Sequence, residues 1–312
     1  MSQKLKFFSA MSELGAGTRG SSLGMKALKF ASLKYDHEFF SNREIVEIDT
    51  ENELLYNPAS KPFAKRSDGI ARMYNKISEA ISPALLDTRV VIFTGDHSNA
   101  GGTIAGIKNA FPDKRLGVIW VDAHADLHSP YTSPTGNVHG MPLATALGED
   151  NIKDQVNDPG QEALDNWSIM KGASPRIQPE DLFFIAMRSA ETPELNLVAE
   201  HNIPNITVEE LRSIGTPESA KRALDHLSSC DIIYVSFDVD SMDPSVSVGT
   251  GTPVKDGLAE SEARELLLHL VEDPRLCCLE VTEVNPLLDT NANSMAEATF
   301  RVIKPVIEKL ES

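Results

Sequence analysis

Short apolar runs alternate with segments of helical spacing, and that alternation constrains this chain more than any other feature. The runs are 89–94, 116–121, 181–186, 232–237 and 276–281. They are rich in Val, Ile and Phe and lack polar alternation, which is the pattern of strands buried on both faces. Residues 4–10 read as a further strand. Between the runs, 68–81, 217–227, 261–271 and 295–309 space their apolar residues near 3.6, as helices do. Strand–helix alternation predicts parallel pairing with helices over both faces, an α/β fold. No repeat, low-complexity tract or linker interrupts residues 1–312, so they read as one domain.

The ends of three runs carry chemistry. One continues as Gly95-Asp96-His97-Ser98, the next as Asp122-Ala123-His124-Ala125-Asp126, and a third as Asp238-Val239-Asp240. In extended chain, side chains alternate, so 122, 124 and 126 share one side, as do 238 and 240. Strand carboxyl ends in a parallel sheet open on one crevice, where four aspartates and two histidines would meet if these strands are near neighbours. Taken singly, each Asp is a turn or cap residue and each His a satisfied core residue. Three such clusters at strand ends favour a metal site instead, because four packed carboxylates could not all stay ionised without cations.

Two divalent ions would offset that charge. Oxygen and imidazole donors without thiolate suit manganese, with cobalt, nickel, zinc or iron as substitutes. Two ions roughly 3.5–4 Å apart can share a water and lower its pKa, giving a hydroxide nucleophile at neutral pH.

Composition narrows the classes further. The net charge of −17 argues against a nucleic-acid binder. Cys230, Cys277 and Cys278 are odd in number with two adjacent, which fits a reducing cytoplasm, and they form no CxxC pair, which argues against a cysteine zinc site. The N-terminal stretch lacks the apolar core of a signal peptide, and no run approaches about 18 apolar residues, so neither export nor a membrane span is expected. Gly15-Ala16-Gly17-Thr18-Arg19-Gly20 matches a dinucleotide fingerprint, but the next helical segment starts several residues later. A loop bending near the sheet edge or close to a ligand is the better reading. The Pro/Gly-rich stretches 128–142 and 241–257 follow strands directly, where long loops carry function.

Taken together, these segments resemble the arginase, or ureohydrolase, family. The matching pieces are Gly95-Asp-His-Ser98, Trp120-Val-Asp-Ala-His-Ala-Asp126, Thr135-Gly-Asn-Val-His-Gly140, Ser236-Phe-Asp-Val-Asp-Ser-Met-Asp-Pro244, Gly249-Thr-Gly-Thr-Pro253 and Glu283-Val-Asn-Pro286. The resemblance implies a three-layer α/β/α fold on a mostly parallel eight-stranded sheet. It implies two manganese ions, the first on His97, Asp122, Asp126 and Asp238 and the second on Asp122, His124, Asp238 and Asp240. Asp126 would also take part in catalysis, His139 would shuttle a proton to the leaving amine, and Glu283 would hold the substrate guanidinium. Trimers or hexamers are common in the family, so a homo-oligomer is expected. The tail that helps join some animal members looks absent.

The implied reaction is hydrolysis of L-arginine to L-ornithine and urea. Thr135 and Asn137 fall where arginases place donors for the α-carboxylate, and Thr252 joins the substrate contacts. His128 stands where many arginases have Asn, and Glu191 stands near the α-amino position, where animal arginases carry Asp. Sister enzymes acting on agmatine, guanidinobutyrate or formimidoylglutamate are the alternative. A silent scaffold or a single-zinc deacetylase is disfavoured, since every metal position, His139 and Glu283 are present. His37, His201, His226 and His269 read as structural or solvated.

Overall fold

The computed structural model describes residues 4–312. Each expected strand forms: β1 (Leu5–Ala10), β3 (Arg89–Thr94), β4 (Leu116–Val121), β5 (Leu182–Ile185), β7 (Ile232–Asp238) and β8 (Leu276–Thr282). Two more, β2 (Ile45–Glu47) and β6 (Asn205–Ile206), complete an eight-stranded sheet in the order β2-β1-β3-β8-β7-β4-β5-β6. Every pairing is parallel. The strands that sequence reading missed are three and two residues long and lie at the two edges. Neither is long enough to show a buried run.

Alternation along the buried strands sorts their side chains between two cores. Val91, Phe93, Ile119, Val121, Val235 and Phe237 face one side, packed under helices 24–35, 260–270 and 294–311. Val90, Ile92, Val118, Trp120 and Tyr234 face the other, under helices 67–85, 100–110 and 161–171. The result is the three-layer α/β/α arrangement. Helices 67–85, 216–226, 260–270 and 294–311 lie within a few residues of the spacings read from sequence. Helices 100–110, 161–171 and 192–201 were not read. The first is too apolar all round to show a stripe, with 100–107 entirely buried.

The central four strands are β3, β8, β7 and β4, side by side. These are the strands whose carboxyl ends carry His97, Glu283, the 238–240 pair and the 122–126 cluster. Residues far apart in sequence therefore open on one crevice.

Candidate metal centre and active-site cleft

The six proposed ligands meet, although not by pleated alternation. β4 stops at Val121, and Asp126 sits in left-handed backbone at φ 52°. Asp240 lies in a single helical turn, Val239–Ser241, which Asp238 caps by accepting from the Asp240 N–H at 2.8 Å. Asp122 likewise accepts from the His124 N–H at 2.7 Å. Sequence reading treated both stretches as extended strand. The structure corrects that: carboxylate-capped turns aim the side chains, because short polar side chains satisfy the N–H groups left free where a strand ends.

His97 Nδ1 lies 2.9 Å from Asp122 Oδ2, 3.1 Å from Asp126 Oδ2 and 3.1 Å from Asp238 Oδ2. His124 Nδ1 lies 3.1 Å from Asp240 Oδ2 and 3.4 Å from Asp122 Oδ1. Asp122 thus faces both groups with different oxygens. Within each set, His97–Asp122–Asp126 and Asp122–His124–Asp240, the ligand atoms fall within 4.8 Å of one another. Asp238 gives Oδ2 to the first set while its Oδ1 accepts from the Asp240 backbone.

The donor set fits divalent cations. His97 Nδ1 and Asp122 Oδ2 are buried and have no hydrogen-bond partner, which costs about 1–3 kcal/mol per group unless something outside the chain satisfies them. On the far side of the ring, His97 Nε2 is 2.8 Å from Ser236 Oγ, and the imidazole stacks on Trp120 with centroids 4.0 Å apart. A ring held from behind in this way turns its other nitrogen toward the carboxylates, as metal-bound imidazoles do.

Burial raises the Asp126 carboxyl to about 6, with the Asp122 charge adding to it and His97 opposing. Burial would lower His124, but Asp240 and Asp122 overcome that and lift it to about 12.

Above the cluster opens a cleft of about 170 Å³ lined by His128, Thr135, Asn137, His139, Glu191 and Thr252, all anticipated from sequence. Ser189 and Glu194 line it too. Glu194 was not singled out. It is 3% exposed at the start of helix 192–201, where it forms a reciprocal cap with Glu191 and accepts from the Leu127 N–H at 3.0 Å. The spacing Glu191-Thr-Pro-Glu194 was the available signal, a cap with Pro in the first turn.

His128 points inward with both nitrogens engaged, Nδ1 3.1 Å from Thr132 Oγ1 and Nε2 3.0 Å from Glu191 Oε2. His128, Glu191 and Glu194 are also close enough to hold an ion, but here the ring nitrogens already have partners.

Glu283 is 3% exposed and is not among the cleft-lining side chains. Its backbone is left-handed at φ 67°, Oε1 accepts from the His97 N–H at 2.9 Å, and the same oxygen lies 3.6 Å from His139 Nδ1. Burial would lower the His139 pKa, yet Glu283, followed by Asp126 and Asp96, raises it to about 9. Thr252 Oγ1 donates to Asp240 Oδ2 at 3.2 Å.

The glycine-rich stretch near the N-terminus borders the site as a loop. The Gly15 N–H donates to Asp96 Oδ2 at 2.8 Å, while its carbonyl accepts from the His139 N–H at 3.2 Å. A Cβ at Gly15 would sit 2.6 Å from Ser98 Oγ. His37, His201, His226 and His269 lie outside the cleft, and no helix among the described residues is long and apolar enough to cross a membrane.

Known proteins share this architecture. The profile of the Arginase family matches residues 4–307. Arginase from Bacillus subtilis (strain 168) is 30% identical over 300 residues, 95% of each chain. Arginase from Bacillus caldovelox is 32% identical over 281 residues, 89% of each. The crystal structure of Entamoeba histolytica arginase in complex with L-ornithine superposes with a TM-score of 0.81 at 26% identity, covering 99% of this chain and 98% of that one. Likeness of sequence and of fold over nearly the whole length places this chain in the arginase family, as a ureohydrolase.

Proposed function

We propose that the protein hydrolyses L-arginine to L-ornithine and urea. The observation that carries this reading is the placement of Thr135 and Asn137 in the cleft above the acid–imidazole cluster, where their hydroxyl and amide can receive a carboxylate. Glu191 and Glu194 enter the same cleft from a separate segment, as acceptors for an ammonium. A substrate with a guanidinium at one end and an amino-acid head at the other satisfies all three regions. The L-ornithine held by the Entamoeba histolytica relative has that amino-acid head, with an amine in place of the guanidinium.

Two manganese ions suit the oxygen-rich donor set, and when bound they supply the Lewis acidity that makes water nucleophilic at neutral pH. The residues then divide the work. Glu283 pairs with the guanidinium through Oε2, which the missing side chain of Gly251 leaves open; a Cβ there would lie 3.3 Å away. Asp126, on the boundary between cluster and cleft, takes the proton released as water adds to the guanidinium carbon. His139, kept protonated by Glu283, delivers a proton to the departing amine nitrogen as the C–N bond breaks.

The test is product release from metal-reconstituted protein given L-arginine, agmatine, 4-guanidinobutyrate or formimidoylglutamate. Urea released preferentially from L-arginine is the expected result. Faster turnover of agmatine or guanidinobutyrate, or formamide from formimidoylglutamate, would replace the proposal with the sister activity.

A further inference from the structure

Asn137 is aimed by two residues that do not line the cleft. Lys65 Nζ donates to Asn137 Oδ1 at 3.2 Å, and the Lys65 backbone N–H donates to Gly136 O at 2.8 Å. The two segments are tightly docked: Gly136 is left-handed at φ 72°, and a Cβ on it would fall 1.8 Å from Pro62 O. On the other side, a Cβ at Gly17 would lie 2.6 Å from Asn137 Nδ2, and only Asn137 atoms come within 4 Å of it. An ammonium can only donate, so Lys65 fixes Oδ1 toward itself and leaves Nδ2 as the free donor end. Among the described residues Nδ2 donates to no protein group.

Charge around the mouth is divided in the same sense. No Lys or Arg lines the cleft, and the chain as a whole is acidic. Behind Asn137, however, Lys65 is followed by Arg66, whose Nε is buried without a partner. The Arg66 guanidinium is held below its ordinary range by burial and by the positive field of Arg19, which places a third cation nearby. Away from this basic flank, the exposed carboxylate of Glu191 makes the remaining rim acidic.

We propose that Lys65 is a specificity-determining residue. Together with the bare backbone of Gly17 it presents the Asn137 amide N–H, and its charge favours guanidino substrates that carry a carboxylate at the far end over amines that lack one. This rests on the L-arginine reading and deepens it. Lys65 acts through Asn137 and through its field, so it affects binding of the head group and not the reacting carbon.

The experiment uses the manganese-loaded full chain and compares wild type with Lys65→Met, Lys65→Arg and Gly17→Ala. Steady-state kinetics are read for L-arginine and agmatine, and inhibition by L-ornithine and by putrescine. Lys65→Met should raise KM for L-arginine about tenfold and leave kcat within about twofold, the signature of lost uniform binding. Agmatine kinetics should not move. L-ornithine inhibition should weaken in parallel with the KM change while putrescine inhibition stays constant, and Lys65→Arg should restore most of the loss.

Gly17→Ala approaches the same amide from the other side. Its methyl meets only the end of a flexible side chain, so the fold is spared and the same selective loss is expected. Equal losses for L-arginine and agmatine, or an unchanged L-arginine KM in both Lys65→Met and Gly17→Ala, would overturn the inference while leaving the L-arginine reading intact. Wild-type protein that prefers agmatine would overturn that reading itself, before any variant is compared.

Discussion

Glu280 and Asp122 are both carboxyls sealed in the middle of the sheet, at 0% and 1% exposure, yet they meet burial in opposite ways. Glu280 Oε1 accepts from Thr94 Oγ1 at 2.7 Å and Oε2 from Tyr234 OH at 2.8 Å. Burial keeps this carboxyl above its ordinary range, with Thr103 and His97 opposing, and both of its oxygens have hydroxyl partners within the protein. Asp122 leaves Oδ2 without a partner, facing an equally unpartnered His97 nitrogen and surrounded by Asp126, Asp238 and Asp240. Burial alone does not mark a metal site. Buried acids left unsatisfied by their own protein do.

The comparison breaks first at Asp122. Replacing it with Ala removes a residue that faces both ligand groups with different oxygens, so bound metal should fall from two ions toward none and urea release to background. Metal analysis after equilibrium dialysis with manganese checks this, and full retention of both ions would remove the distinction drawn above.

His139→Asn should lower kcat by about 100-fold or more with little change in KM, the range of a lost proton donor. Folding raises the His139 pKa from 6.5 to about 9, so the protonated donor is present below that range and lost as pH rises through it. Any stability from the His139–Glu283 pair is likewise complete below 6.5 and lost as pH rises through about 9. The alkaline limb of kcat is therefore expected at or below about 9, since cations held by Asp126 would offset its share of the rise. A pH–rate profile in which His139→Asn keeps the wild-type limb would assign that limb elsewhere.

Glu280→Ala sharpens the contrast from the other side. It orphans two buried hydroxyls and should cost about 2–3 kcal/mol of unfolding free energy in urea titrations, while both ions stay bound. Loss of metal in this variant would show that the two carboxyl groups are not independent.

Much of this contrast could be read before any coordinates. The runs ending at 94, 121, 237 and 281 stand out because they are largely apolar on both faces, and the acids and imidazoles follow within a few residues. The left-handed turn at Asp126 was hidden, since a non-glycine residue carries no sequence mark of φ 52°. Glu194, Lys65 and Gly17 were hidden for another reason. Each acts on a segment distant in the chain, Lys65 on Asn137 across 72 positions and Glu194 on Leu127 across 67, and docking between loops follows no periodicity. His128 shows the same limit. Its type suggested a donor for substrate, and only the fold reveals Thr132 and Glu191 already holding both nitrogens.

Ser236 joins the two regions, and the smallest expected effect lies there. On β7 it pairs in register with Glu280 on β8, while its Oγ stands 2.8 Å from His97 Nε2. Ser236→Ala removes the partner that favours Nε2–H and frees Nδ1 for an ion. The ring stays in place, because Trp120 still stacks on it with planes 4° apart. Manganese affinity should therefore fall by about tenfold, the lower end for a lost outer partner of a ligand histidine, and unfolding free energy should change by less than about 1 kcal/mol. Titration calorimetry with manganese and urea denaturation of the metal-free protein measure the two quantities separately. Weaker affinity at constant stability keeps the satisfied carboxyl and the metal cluster as neighbours with separate tasks. A drop in stability with unchanged affinity would make Ser236 part of the Glu280 network and leave His97 oriented by Trp120 alone.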